Sequence, residues 1–154
     1  AERAPFPQDA PLPDAAIRMC DEVKAYLPEG GPHGLGYIHC EKAVDPEEWF
    51  FHAHFYQDPV MPGSLGLEAF IQSLKYVAMR RWNLGPGARV AMEPGCRHTW
   101  TYRGQVLQSA HSVTIQAAVT HVDDAARTIM ADGWLSRDGL LIYTMNGFTL
   151  RVMD

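Results

Sequence analysis

The chain has 154 residues and a formal net charge of −5, with 47% of its residues hydrophobic and 20% charged. That is enough for one domain with a core and too short for two comfortable ones. No apolar run approaches the ~20 residues that span a membrane, and the negative balance argues against nonspecific nucleic-acid binding, which needs a basic footprint.

In chain order, the Pro- and Ala-rich start (residues 1–16) reads as a linker or irregular segment, leaving residues 17–154 as a single domain. No apolar core follows a basic start there, so no signal peptide is expected. The missing initiator Met and the linker-like composition suit a domain excised from a longer chain. Ile17 to Leu27 alternates imperfectly and is expected as a short helix or a strand. PEGGPHG (28–34) is a turn, and LGYIHCEKAV (35–44) is strand-like. DPEEW (45–49) reads as a turn or short helix with Asp45 as cap and Pro46 at the first helical position. The aromatic run Trp49, Phe50, Phe51, Phe55 and Tyr56 reads as strand.

The strongest helical signal runs from Ser64 to Trp82. Its polar residues Ser64, Glu68, Gln72 and Lys75 fall on one narrow stripe, and apolar residues cover most of the rest, as in a buried helix. Arg80 and Arg81 suit the dipole of its last turn, and Asn83 with the LGPG that follows ends it. Beyond it the period changes to two. Segments 88–92, 97–107, 110–122, 127–136 and 140–152 read as strands, the clearest being HSVTIQAAVTHV, and Asp138-Gly139 is a hairpin signal. One buried helix and about six antiparallel strands, most of them after it, give an α+β layout in which the sheet must curl around the helix.

Cys20, Cys40 and Cys96 are odd in number and widely spaced, without a CxxC pair, so a reducing cytoplasm is the expected home. His52 and His54 form an HxH pair that on a strand would point both rings to one face and could hold zinc. No third ligand follows at a fitting spacing, and no metal is expected.

HFYQDPVMPGSLGLEA (54–69) resembles the active-site signature of the β-hydroxyacyl-(acyl carrier protein) dehydratases of the hotdog fold. DPEEWFFHAHF before it, and RGQVL (103–107) and ADGWLSRDGLLIY (131–143) after it, resemble the same family, so the likeness covers roughly residues 17–150. The wording looks closest to the dehydratase domains of polyunsaturated fatty acid and related iterative polyketide synthases.

The resemblance implies a curved antiparallel sheet wrapped around one long central helix. It implies His54 as the catalytic histidine and Glu68 as the catalytic carboxylate. The Gly63 amide would polarise the thioester carbonyl, the Val60 carbonyl would orient the histidine, and Gln72 would stand one turn beyond the carboxylate. The histidine and carboxylate of one site would come from two subunits or two fused hotdog halves, so a homodimer or pseudo-dimer is expected. The substrate would ride on the phosphopantetheine of an acyl carrier protein, with no other cofactor. Some members that also isomerise the trans-2 double bond to cis-3 carry aspartate at the position of Glu68 and cysteine at that of Ser64; this chain has Glu68, as the dehydratase-only branch does, yet its flanking residues resemble the bifunctional branch, so isomerisation stays open.

The residues themselves fit that chemistry. Dehydration needs a base for the α-proton, a donor for the enolate-like thioester oxygen, and a proton for the departing hydroxyl. An imidazole, with an unperturbed pKa of about 6.5, suits the first task. Gly63, at a helix start and without Cβ, offers an unpaired N–H that a carbonyl can approach. Glu68 is the candidate proton donor, or the group that holds the hydroxyl. Ser64 reads as a helix N-cap rather than a nucleophile, since GSLG is not the GxSxG elbow of hydrolases. Phe55, Tyr56 and Met61 are candidates for the acyl-tunnel wall. Arg80, Arg81, Arg89 and Arg103 are candidates for carrier docking. The competing readings are a hotdog acyl thioesterase, and a non-catalytic hotdog that completes a partner's site.

Overall fold

The structure is a computed structural model and describes residues 1–8 and 11–153. Its elements in order are β1 (Glu2–Pro5), a 3-10 turn (Ala15–Ile17), β2 (Glu22–Leu27), β3 (Tyr37–Ala43), α1 (Trp49–Ala53), α2 (Gly63–Trp82), β4 (Arg89–Met92), β5 (Thr99–Tyr102), β6 (Ser112–Asp123), β7 (Thr128–Arg137) and β8 (Leu140–Met153). The strands form one eight-stranded sheet in the order β1-β2-β3-β6-β7-β8-β4, with β5 also on β8. Every pairing is antiparallel. The long helix α2 packs on β3, β6, β7 and β8, which is the expected hotdog arrangement with eight strands in place of about six. No helix among the described residues is long and apolar enough to cross a membrane.

The strand count rises at the N-terminal side. Residues 2–5, expected as irregular, pair with β2 from Glu2↔Tyr26 to Pro5↔Glu22. The ambiguous stretch from Ile17 to Leu27 divides into the end of a 3-10 turn and the strand β2.

Helix α2 buries Gly66, Ala69, Phe70, Leu74, Val77 and Ala78 against the sheet's concave face. Helix and sheet approach closely at Gly133 of β7, where a Cβ would lie 2.1 Å from Phe70 Cε2 and 2.9 Å from the Gln116 carbonyl oxygen. Asn83 ends the helix in the left-handed region (φ 47°), with its own amide and that of Leu84 both bonded to the Met79 carbonyl. This is the local stop that the sequence announces.

The aromatic run after Asp45 is a helix, not the expected strand. Asp45 accepts from the amides of Glu47 and Glu48, turning the chain into α1. Phe50 and Phe51 are then both buried and packed on each other with ring centroids 4.7 Å apart. Adjacent residues of a strand point to opposite faces, so only a helical turn lets both rings reach one core.

Candidate active site

His54 is the C-cap of α1, and its amide closes on the Phe50 carbonyl. The chain then makes a tight loop. Phe55 and Asp58 exchange two backbone hydrogen bonds, Gln57 takes a positive φ of 56°, and the Val60 amide donates back to the His54 carbonyl at 2.8 Å. The His54–Phe55 peptide is cis. Val60 and Met61 then join the sheet margin, Val60 bridging to Leu107 and the Met61 amide donating to the Val106 carbonyl.

This loop fixes the imidazole. His54 Nδ1 lies 2.9 Å from the Val60 carbonyl oxygen. A carbonyl only accepts, so Nδ1 carries the hydrogen and Nε2 is left with a basic lone pair. Phe55 lies against the ring with centroids 3.7 Å apart.

Gly63 follows Val60 by three residues, at most ~11 Å of chain. It opens α2, whose N-cap is Pro62; Leu65 donates to the Pro62 carbonyl. The amides of Gly63 and Ser64 have no acceptor among the described residues, as expected of a helix start. Ser64 is therefore not the N-cap; it stands exposed one residue inside the first turn, because Pro62, locked near the required φ, already starts the helix. Trp100 and Tyr102 of β5 cover Gly63: a Cβ there would lie 2.9 Å from Tyr102 Cε2 and 3.2 Å from Trp100 Cη2.

Glu68 is half-buried on α2, and its Oε1 accepts from Gln72 Nε2 at 3.0 Å. Gln72 is fully buried, and its remaining bonds go to the segment before β2. Its Nε2 donates to the Ile17 carbonyl and its Oε1 accepts from the Met19 amide, both at 2.8 Å. Gln72 thus holds one carboxylate oxygen and leaves the other open.

No hydrogen bond joins His54 to Glu68 among the described residues. The cleft beside the Val60–Leu107 bridge, about 310 Å³ and lined by Leu107, Ser109, Ala110, Arg137, Asp138 and Leu140, includes neither. Met61 is buried, whereas Phe55 and Tyr56 are 57% and 90% exposed. His52 is exposed at the end of α1, 3.5 Å from Glu47, so the helix removes the shared strand face its pairing with His54 would need. Among the described residues no cluster of three or more His, Cys, Asp or Glu could hold a metal ion. Arg80 and Arg81 are paired with Glu2 and Asp124 at 2.7 and 2.9 Å. Arg89 and Arg103 are exposed, and neither has a carboxylate partner among the described residues. Sequence reasoning missed the segment around Ile17 and the role of Trp49, since both act through contacts distant in sequence.

A long helix enclosed by one antiparallel sheet, with an oriented imidazole before the helix's amino end and a carboxylate on its second turn, defines a hotdog domain. The profile of the FabA-like domain matches residues 12–146, and the chain belongs to that family. It is 37% identical over 128 residues to a polyunsaturated fatty acid synthase of Thraustochytrium sp., in a match to one of that enzyme's subunits covering 79% of this chain and 8% of that protein. The chain therefore spans a small part of that relative's length. Among solved structures, the dehydratase heterocomplex ApeI:P from Xenorhabdus doucetiae superposes with a TM-score of 0.67 at 15% identity, covering 92% of this chain and 86% of that one. The fluoroacetyl-CoA thioesterase FlK superposes at 0.58 with 16% identity, covering 76% and 84%. At these identities the structural likenesses speak for the fold.

Proposed function

We propose that this domain eliminates water from a 3-hydroxyacyl thioester carried on the phosphopantetheine of an acyl carrier protein, giving the trans-2-enoyl thioester. The observation that carries the reading is the His54 Nδ1–Val60 carbonyl bond, which leaves Nε2 as the base. Nε2 takes the α-proton. The Cα–H bonding pair it leaves behind forms the Cα–Cβ double bond as the Cβ–O bond breaks, and the hydroxyl leaves as water with a proton supplied through Glu68. The free Gly63 amide receives the thioester oxygen as charge builds on it, a donor worth about 3 kcal/mol in a site that excludes water.

A second hotdog copy, or a sister hotdog domain, completes the site. Two features support this: no hydrogen bond joins His54 to Glu68 among the described residues, and the edge strand β5 presents Trp100 and Tyr102, 38% and 42% exposed, beside Gly63. Of the candidate docking arginines, Arg103 adjoins Tyr102 and has no ion pair among the described residues, which fits it to the carrier's phosphate better than the neutralised Arg80 and Arg81.

The test is incubation with a 3-hydroxyacyl pantetheine thioester, with product double-bond position read by chromatography. The expected outcome is an enoyl product with the thioester retained, and loss of about 10²–10⁴-fold in His54→Ala, the usual weight of a positioned general base. A cis-3 fraction would add isomerisation to the activity. Release of free thiol instead would make the domain a thioesterase, and unchanged turnover in His54→Ala would make it a scaffold.

A further inference from the structure

The segment between the 3-10 turn and β2 is held by side chains of both helices. Asp14 caps the turn by accepting from the Ala16 amide at 3.1 Å. The next two carbonyls then diverge. Ala16 O accepts from Trp49 Nε1 of α1 at 2.6 Å, and Ile17 O accepts from Gln72 Nε2 of α2 at 2.8 Å. Two residues on, the buried Met19 amide donates to Gln72 Oε1, and the buried Cys20 thiol donates to the Ala69 carbonyl at 3.5 Å. Gln72 in turn holds Glu68 Oε1.

A glutamine side chain has three rotatable bonds, and one bond to Glu68 would not fix it. The strap from Ala15 to Met19 supplies the other two contacts, and with them the orientation of the amide. That strap is itself exposed from Asp14 to Ile17, so apolar burial does little to hold its outer turn in place. Besides Gln72 at the Ile17 carbonyl, the indole N–H of Trp49 grips it there, at the Ala16 carbonyl. Trp49 is 46% exposed, so its contribution is more this bond than core packing.

We infer that Trp49 is a positioning residue for Glu68, acting through the strap and Gln72. The inference rests on the dehydratase reading for its catalytic consequence, while the relay itself is a property of the chain. Trp49 makes no hydrogen bond to Glu68 or Gln72 among the described residues; it sets the place of the Ile17 carbonyl and the Met19 amide, and these set Gln72. Loss of a carboxylate's position costs turnover more than binding, because the carboxylate acts on the reacting hydroxyl and not on the carrier arm.

The experiment is a double-mutant cycle on the full chain with Trp49→Phe, which keeps an aromatic ring against Phe50 but removes the donor, and Gln72→Met. Trp49→Phe is expected to lower kcat about tenfold, in the range expected of small misplacements of a catalytic group, with KM within about twofold. Gln72→Met is expected to lower kcat further. Trp49→Phe placed on Gln72→Met should add nothing, because the relay is already cut. Full multiplication of the two losses would overturn the inference and place the effect of Trp49 on its own helix and His54 instead. Backbone hydrogen exchange at Met19 gives the arm independent of catalysis: it should quicken in Trp49→Phe, and an unchanged rate overturns the relay. A wild type inert toward hydroxyacyl thioesters with quickened exchange in Trp49→Phe would sink the dehydratase reading and leave the relay standing.

Discussion

Replacing Gln72 by Leu keeps the approximate volume at a fully buried position and deletes three hydrogen bonds at once. The Met19 amide is the costly one. Met19 is 2% exposed, so water cannot replace the lost acceptor, and a stranded buried donor costs about 1–3 kcal/mol. Ile17 is 39% exposed, so its carbonyl can be hydrated and loses about 0.5–1.5 kcal/mol. The leucine's own burial offsets about 1 kcal/mol. The net expectation is a destabilisation of about 1–3 kcal/mol, read in urea at fixed protein concentration as a lower midpoint with an unchanged slope. Gln72→Glu separates the two duties of this residue. It keeps an oxygen for the Met19 amide, so more of the stability should survive, yet it removes the donor to Glu68 and sets a second carboxyl beside it, so activity should fall as far as in the leucine variant. A Gln72→Leu protein with the wild-type midpoint would refute the reasoning, since it would mean that Met19 finds another acceptor.

Gly133→Ala should destabilise by about 2 kcal/mol, near the upper range for overpacking less the entropy gained on losing a glycine. Its Cβ meets both the Phe70 ring, T-stacked on Phe148, and the unyielding Gln116 carbonyl. The melting temperature should drop by roughly 5 °C, and an unshifted melt would show that β7 and α2 separate more easily than their packing implies. At the other end of the pH range, burial pushes the phenols of Tyr26, Tyr76 and Tyr143 up, with the nearby Tyr102 adding to the effect at Tyr143. Unfolded tyrosines ionise near ~10. Above that pH the unfolded chain has released protons that the folded chain keeps, so stability is intact below pH ~10 and falls as pH rises beyond it. Tyr143→Phe, which removes a buried hydroxyl without a hydrogen-bond partner among the described residues, should flatten that fall between denaturation curves at pH 9 and pH 11. An equal fall in both proteins would contradict the assignment.

What could be read from the sequence divides by how far apart the contacting residues are. Helix α2 was legible because its signals are internal: the polar stripe, the arginines of the last turn and the Asn83 stop all lie within it. The strands β6 to β8 were legible from alternation, and the β7–β8 hairpin from Asp138-Gly139, both with positive φ. Helix α1 misled because aromatic residues favour strands, while the adjacency of Phe50 and Phe51, both buried, demanded a helical turn. Strand β1 has no pattern of its own; it exists because β2 offers it an edge.

The same division explains the site. The histidine half closes within ten residues: His54, the Val60 carbonyl and the Gly63 amide are joined by one tight loop stiffened at Pro59 and Pro62, so a local motif can encode it entirely. The carboxylate half closes over fifty residues. Gln72 reaches Ile17 and Met19, and Trp49 reaches Ala16, contacts that no spacing rule anticipates because the fold alone brings those segments together. A local motif can be copied into any hotdog with its function intact, whereas the long-range half must be rebuilt with each N-terminal segment. Among such domains, changes in the strap should therefore alter how Glu68 is held while leaving the histidine loop untouched.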